Sequence, residues 1–205
     1  MTPRETSEAV RAGAVVLDLR PPRVFAAGHL PGAVNLQFNR ADLADRAELV
    51  LPAGLAMVVH AEPAPIATAA VGLLADAGFD LHGLLEGGLA AWRDAGMAVE
   101  PLPLLSVDEL RELADGYRVI DVRERFEFRH GHVGGAELLP SGDAWERAAD
   151  VPADRPIAVI CGDQNRSATV ASMLLRAGRE AHLVMGGMVD WLERGYPVER
   201  EGTTV

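Results

Sequence analysis

The sequence predicts two tandem α/β domains, each a mainly parallel central sheet with helices on both faces. Three observations predict it. The chain repeats itself once at an offset near 100 residues. Within each copy, short apolar runs alternate with helical patterns, the order a covered parallel sheet requires. The 205 residues, 49% hydrophobic and 24% charged, suffice for two globular cores and rule out a disordered chain.

The repeat is read from blocks. Asp18-Leu19-Arg20 returns as Asp121-Val122-Arg123, and the same offset of 103 carries Phe25 onto Phe128, His29 onto His132 and Gly32-Ala33 onto Gly135-Ala136. The offset shortens to 100 for Leu74, Ala77 and Gly78, which fall on Leu174, Ala177 and Gly178, and to 99 for Gly87-Gly88 and Trp92, matching Gly186-Gly187 and Trp191. Small length changes between matched blocks are what loops tolerate. The expected division is a first domain over 1–100, a proline-stiffened linker over 101–103 and a second domain over 104–205.

Taken in order, Val15-Val16-Leu17 and Val119-Ile120 are continuous apolar runs ending in Asp-x-Arg, as buried parallel strands read. Met57-Val58-Val59 and Ile157-Ala158-Val159-Ile160 repeat that character before a loop. Val170, Met173, Leu174 and Ala177 then follow helical spacing, with Gly178 as the stop and Ser167 as the opening residue. Leu84-Leu85 and Leu183-Val184 are the expected third strands, each followed by Gly-Gly and a Trp-bearing helix.

Composition narrows the function. The net charge of −11 splits as −5 over 1–103 and −6 over 104–205, so no basic patch is available for nucleic acid or an anionic membrane. All 19 basic residues are Arg, which excludes lysine Schiff bases and the phosphate-loop lysine. Cys161 is the sole cysteine, so an intramolecular disulfide and a multi-cysteine metal site are excluded. The start, Met1-Thr2-Pro3-Arg4-Glu5, has no apolar signal core, and runs such as 49–61 are too interrupted to span a bilayer. A cytoplasmic setting without a cofactor is expected.

Ligands of open parallel sheets sit at the carboxyl ends of the strands. Cys161 directly follows the strand 157–160, and Gly162, Asp163, Gln164, Asn165, Arg166 and Ser167 lead into a helix. A strand end, a tight loop and a helix start form a cup whose amides face an anion and favour the thiolate. Arg166 is expected to close that cup with a positive fork. A lone cysteine after an apolar strand is more often inert packing, but this ordered set of neighbours favours chemistry. Asp163 should oppose both anion binding and thiolate formation unless it points outward.

These motifs resemble the rhodanese superfamily of sulfurtransferases. The resemblance rests on Asp121-Val122-Arg123-Glu124 with Glu127-Phe128, on Gly131-His132-Val133-Gly134-Gly135-Ala136, on the cysteine loop, and on Gly186-Gly187…Trp191…Gly195-Tyr196-Pro197-Val198. Gln164 stands where many members have glycine, which bears on loop geometry and substrate preference. The Cys-x4-Arg spacing is one residue shorter than the Cys-x5-Arg of the related phosphatase and arsenate-reductase folds, leaving phosphatase a distant alternative. The resemblance implies a thiosulfate sulfurtransferase, which moves sulfane sulfur from thiosulfate or a low-molecular-weight persulfide to cyanide or a thiol through a Cys161 persulfide. Residues 162–167 would bind the donor. The alternative is a non-enzymatic persulfide carrier or a docking module for a sulfur-metabolism protein.

The first copy has Ala61 in place of the cysteine and Ile66 in place of Arg166, with Glu62, Pro63 and Pro65 between. It lacks nucleophile, clamp and two amide donors, and is read as structural or docking. Asp121/Arg123 and Asp18/Arg20 recur in both copies and are read as scaffolding ion pairs. His29 and His132 are expected to be structural, Trp92 and Trp191 to pack in a core or between domains, and His60 to be a satisfied polar residue.

Overall fold

The computed structural model describes residues 1–200. They divide into two compact units, Met1–Pro101 and one beginning at Leu102.

In the first unit, helix α1 (Pro3–Arg11) precedes strand β1 (Val15–Asp18), α2 (Pro22–Ala26), β2 (Val34–Asn35), α3 (Leu43–Val50), β3 (Met57–His60), α4 (Ala64–Asp76), β4 (Leu81–Leu84) and α5 (Gly88–Asp94). Helix α1 starts where it does because Thr2 and Glu5 form a reciprocal capping box with proline at the first turn. The four strands are all parallel, in the order β2-β1-β3-β4. β1 and β3 are wholly buried and apolar up to their last residues, Asp18 and His60, as central strands covered on both faces must be.

The second unit runs β5 (Leu104–Leu105), α6 (Val107–Leu113), β6 (Arg118–Asp121), α7 (Arg125–His130), β7 (Glu137–Leu138), α8 (Ala144–Arg147), β8 (Ile157–Ile160), α9 (Asn165–Arg176), β9 (Ala181–Val184) and α10 (Gly187–Glu193). Its strands are parallel in the order β5-β9-β8-β6-β7. The chain moves one way along the sheet through α6 and α7, and the other way through α8 and α9. Right-handed crossovers therefore place these pairs on opposite faces. The packing agrees: α8 lies against α9, and α10 against α6. Leu105, Val107, Leu110, Val119, Ile160, Val184 and Trp191 share one core cluster on this unit's sheet.

Each unit is closed the same way. The backbone of His29 pairs with that of Glu100, and the backbone of His132 with that of Glu199. The rings of His29 and His132 stack on Phe25 and Phe128, centroids 3.9 and 3.6 Å apart. Their Nδ1 atoms lie 3.2 and 2.9 Å from the Phe25 and Phe128 carbonyl oxygens. Burial pushes the His29 ring below the ordinary imidazole range. Trp92 and Trp191 are buried within their own units and donate to the Ala98 and Pro197 carbonyls.

Three expectations shift. The first unit's last strand is Leu81–Leu84, upstream of the expected Leu84-Leu85, because Leu85 already leads into the Gly87-Gly88 turn. Helix α9 opens at Asn165, two residues before Ser167, with Gln164 as its N-cap. Residues 101–103 do not hang free: Leu102 is buried, and the Pro103 carbonyl accepts from the Leu183 amide at the sheet edge.

Candidate active site

Cys161 follows β8, which lies between β9 and β6 in the second sheet. Two forces shape the loop behind it. From below, α10 receives the loop's carbonyls: the Met188 amide donates to Cys161 O (2.8 Å) and the Val189 amide to Gly162 O (2.9 Å). Gly187, at φ +59°, permits this approach, since a Cβ there would fall within 2.7 Å of the carbonyl oxygens of Cys161, Gly162 and Asp163. With the carbonyls drawn toward α10, the next amides are left free to serve the sulfur and its neighbours. From above, α9 supplies the Ser167 amide, which donates to Cys161 Sγ at 3.3 Å, with Ser167 Oγ also 3.3 Å from the sulfur.

Cys161 is 0% exposed. Burial pushes its thiol above the ordinary range, and the Asp163 charge adds to that rise, while the Ser167 hydroxyl and amide pull it down. This corrects the expectation that the cup favours the thiolate: desolvation outweighs the two hydrogen bonds.

Asp163 does not point outward. Its Oδ1 accepts from the amides of Gln164 (2.6 Å) and Asn165 (2.9 Å), and its Oδ2 accepts from Asn165 Nδ2 (2.7 Å). The same Oδ1 lies 3.6 Å from Cys161 Sγ. Two of the amides expected to cradle a ligand, those of Gln164 and Asn165, are therefore held by a carboxylate of the chain itself, because an acid two residues ahead of a helix start is a ready partner for those donors.

Arg166 departs from expectation too. Its guanidinium pairs in parallel with Glu127, Nη1 to Oε2 at 2.6 Å and Nη2 to Oε1 at 2.8 Å, so the paired face of the fork is already taken. Glu127 also accepts from the Glu124 amide, capping α7. The pairing with Arg166 holds the Glu127 carboxyl below the usual carboxylate range and raises Arg166. Sequence reasoning gave Glu127 no role of its own. The signal was present in the repeat: the pair Glu127/Arg166 falls on Val24/Ile66 in the first copy, so both partners change together.

Below the site, Asp121 is fully buried and accepts from Arg123 Nε (3.0 Å) and Nη2 (2.7 Å), while Arg123 Nη2 also donates to Gly131 O (2.7 Å). Asp18, Arg20 and Gly28 repeat this arrangement in the first unit. The pair joins the end of the strand to the turn before the next one and touches no reacting atom.

The first unit's matching position is built differently. Ala61 follows β3, and Glu62 folds over Gly88. His60 is buried, and neither of its ring nitrogens has a hydrogen-bond partner; Glu62 Oε1 stands 3.9 Å from Nε2. Burial pushes this ring below the ordinary imidazole range. The expectation of a satisfied polar residue at 60 is thus not met. Among the described residues no group of three or more His, Cys, Asp or Glu is arranged to hold a metal ion, and no helix is long and apolar enough to cross a membrane.

Residues 2–95 and 106–194 each match the Rhodanese-like domain. The chain is 34% identical over 84 residues to the uncharacterized protein YqhL of Bacillus subtilis (strain 168), covering 39% of this chain and 67% of that one. It is 37% identical over 91 residues to the thiosulfate sulfurtransferase GlpE of Pseudomonas entomophila, covering 43% of this chain and 80% of that one. It is 34% identical over 95 residues to the probable adenylyltransferase/sulfurtransferase MoeZ of Mycobacterium tuberculosis, covering 43% of this chain but spanning only 24% of that longer protein. A rhodanese-related protein of Thermoplasma volcanium covers 48% of this chain at 34% identity with a TM-score of 0.47. Two matched stretches, two all-parallel sheets and one cysteine loop lead to one assignment: the chain belongs to the rhodanese family, as a tandem of two such domains.

Proposed function

We propose that the second unit is a sulfurtransferase, taking sulfane sulfur from thiosulfate or a low-molecular-weight persulfide and passing it to cyanide or a thiol. The observation that carries this reading is Cys161 at the end of β8, its sulfur held by the Ser167 amide and hydroxyl inside a Cys-x4-Arg loop. The thiol first loses its proton to solvent, and Ser167 donates to the resulting thiolate. The thiolate attacks the outer sulfur of the donor; a Cys161–sulfur bond forms, the donor's S–S bond breaks, and sulfite or a thiolate leaves with the electron pair. The acceptor then attacks the outer sulfur of the Cys161 persulfide and returns the thiolate. One difficult transfer becomes two displacements. Residues 162–167 form the wall of the site, with Arg166 and Glu127 fixing the loop to α7. The relatives named sulfurtransferases support the reaction class. We assign the first unit, which has Ala61 in place of the nucleophile, a structural or docking role, with the boundary at residues 101–103 and a cytoplasmic setting.

One observation favours the alternative of a persulfide carrier without turnover: the thiol is wholly buried, and burial raises it above the ordinary range. Intact-mass measurement after exposure to thiosulfate or glutathione persulfide, followed by cyanide, separates the readings. The sulfurtransferase gains one sulfur, loses it to cyanide as thiocyanate, and repeats. A protein that never gains sulfur, or one whose Cys161→Ser variant still produces thiocyanate, refutes the assignment.

A further inference from the structure

Resting on the sulfur-transfer reading, we propose that Asp163 sets the donor specificity of the Cys161 loop, excluding dianionic donors such as thiosulfate in favour of persulfides that approach uncharged. The nest formed by the Gln164 and Asn165 amides is occupied by Asp163 Oδ1, and Asn165 Nδ2 is bound to Oδ2. A sulfonate arriving at the sulfur would have to displace Asp163 from these three donors, and would meet its carboxylate 3.6 Å from Sγ. The one cation of the loop, Arg166, has its charge offset by Glu127, which takes one N–H from each of its terminal nitrogens. The charges that line the loop thus sum to an anion before any donor arrives.

The selected step is Cys161–S⁻ + R–S–SH → Cys161–S–SH + R–S⁻. The new bond joins Sγ to the outer sulfur, the donor's S–S bond breaks, and R–S⁻ leaves with the pair; no oxidant or reductant is consumed.

The test is the rate of sulfur loading on Cys161, followed by intact mass, for thiosulfate and for 2-hydroxyethyl persulfide, in wild type and in Asp163→Asn. Asparagine keeps an acceptor for the two amides but removes the charge. Removing it also eases thiol ionisation, which speeds both donors alike, so the readout is the ratio of the two rates. We expect the thiosulfate-to-persulfide ratio to rise about tenfold, as a unit charge acting on a dianion a few ångströms away implies. Asp163→Ala, which empties the nest altogether, should raise it at least as far, with circular dichroism confirming that the unit is folded. A ratio unchanged within about twofold in both folded variants overturns the proposal. Loss of loading with both donors overturns it also, because Asp163 would then be the group that takes the thiol proton. If wild type loads from neither donor, the sulfur-transfer reading itself has failed, and the specificity assignment fails with it.

Discussion

Replacing Asp121 by Asn tests how the second unit is held together. The carboxylate is fully buried and meets Arg123 through Nε at 3.0 Å and Nη2 at 2.7 Å; Arg123 is itself 7% exposed. Asparagine preserves shape and one acceptor but leaves a guanidinium in a buried site without its counter-charge. Removing one partner of such a pair costs about 3–5 kcal/mol. The lower end applies here, because Arg123 Nη2 keeps its bond to the Gly131 carbonyl. A loss of about 3 kcal/mol is a large part of the stability of a domain this size. At a urea slope near 1.5 kcal/mol/M it lowers the midpoint by about 2 M. Urea unfolding, with hydrogen exchange by mass spectrometry to report each unit separately, measures it. The repeat supplies an internal control: Asp18→Asn should produce a similar loss confined to the first unit, where Arg20 makes the same bonds. Breaking the exposed Arg4–Glu8 pair should cost no more than about 0.5 kcal/mol. A loss below about 1 kcal/mol for Asp121→Asn would show that water reaches Arg123 and that the pair is not a buried one.

Two further outcomes are expected. Because burial raises the Cys161 thiol, its alkylation by iodoacetamide should keep accelerating with pH beyond the ordinary thiol range, and Ser167→Ala should move the profile higher still by removing a bond that favours the thiolate. The linked stability has the matching sign: the contribution of the protonated Cys161 is complete below the ordinary thiol value and is lost as pH rises through the raised one, so wild type should lose stability relative to Cys161→Ser over that window. Gly187→Ala should abolish sulfur loading and cost more stability than Gly178→Ala, since both glycines have positive φ but only Gly187 has loop carbonyls where the methyl would go; equal costs from the two substitutions would remove α10 from the account of the site.

The sequence discloses the parts whose physics is local. β1, β3, β6 and β8 are legible because strands covered on both faces carry unbroken apolar runs. β2, β5 and β7 are two residues each, too short to show any period, and exist only because a longer neighbour offers its edge. β4 is obscured by His82 and Gly83 inside it. At the site, the position of Cys161 follows from the strand before it, and the emptiness of the first copy from Ala61 and Ile66. The direction of Asp163 does not, since it depends on one side-chain rotation and on which amides the helix start leaves free. Glu127 lies 39 positions from Arg166, and only the fold brings them together.

The seat of Gly187 beneath the cysteine loop also orders events in time. The residue lies 26 positions after Cys161, beyond α9 and β9. On the ribosome the nucleophile therefore emerges well before the backbone that will hold its loop, and until α10 arrives nothing draws the carbonyls of Cys161 and Gly162 downward. A nascent or truncated chain ending before Gly186 carries the thiol as an ordinary cysteine, open to whatever oxidant it meets. Shielding of the sulfur is the last thing the chain acquires, and completing the domain is what confines it.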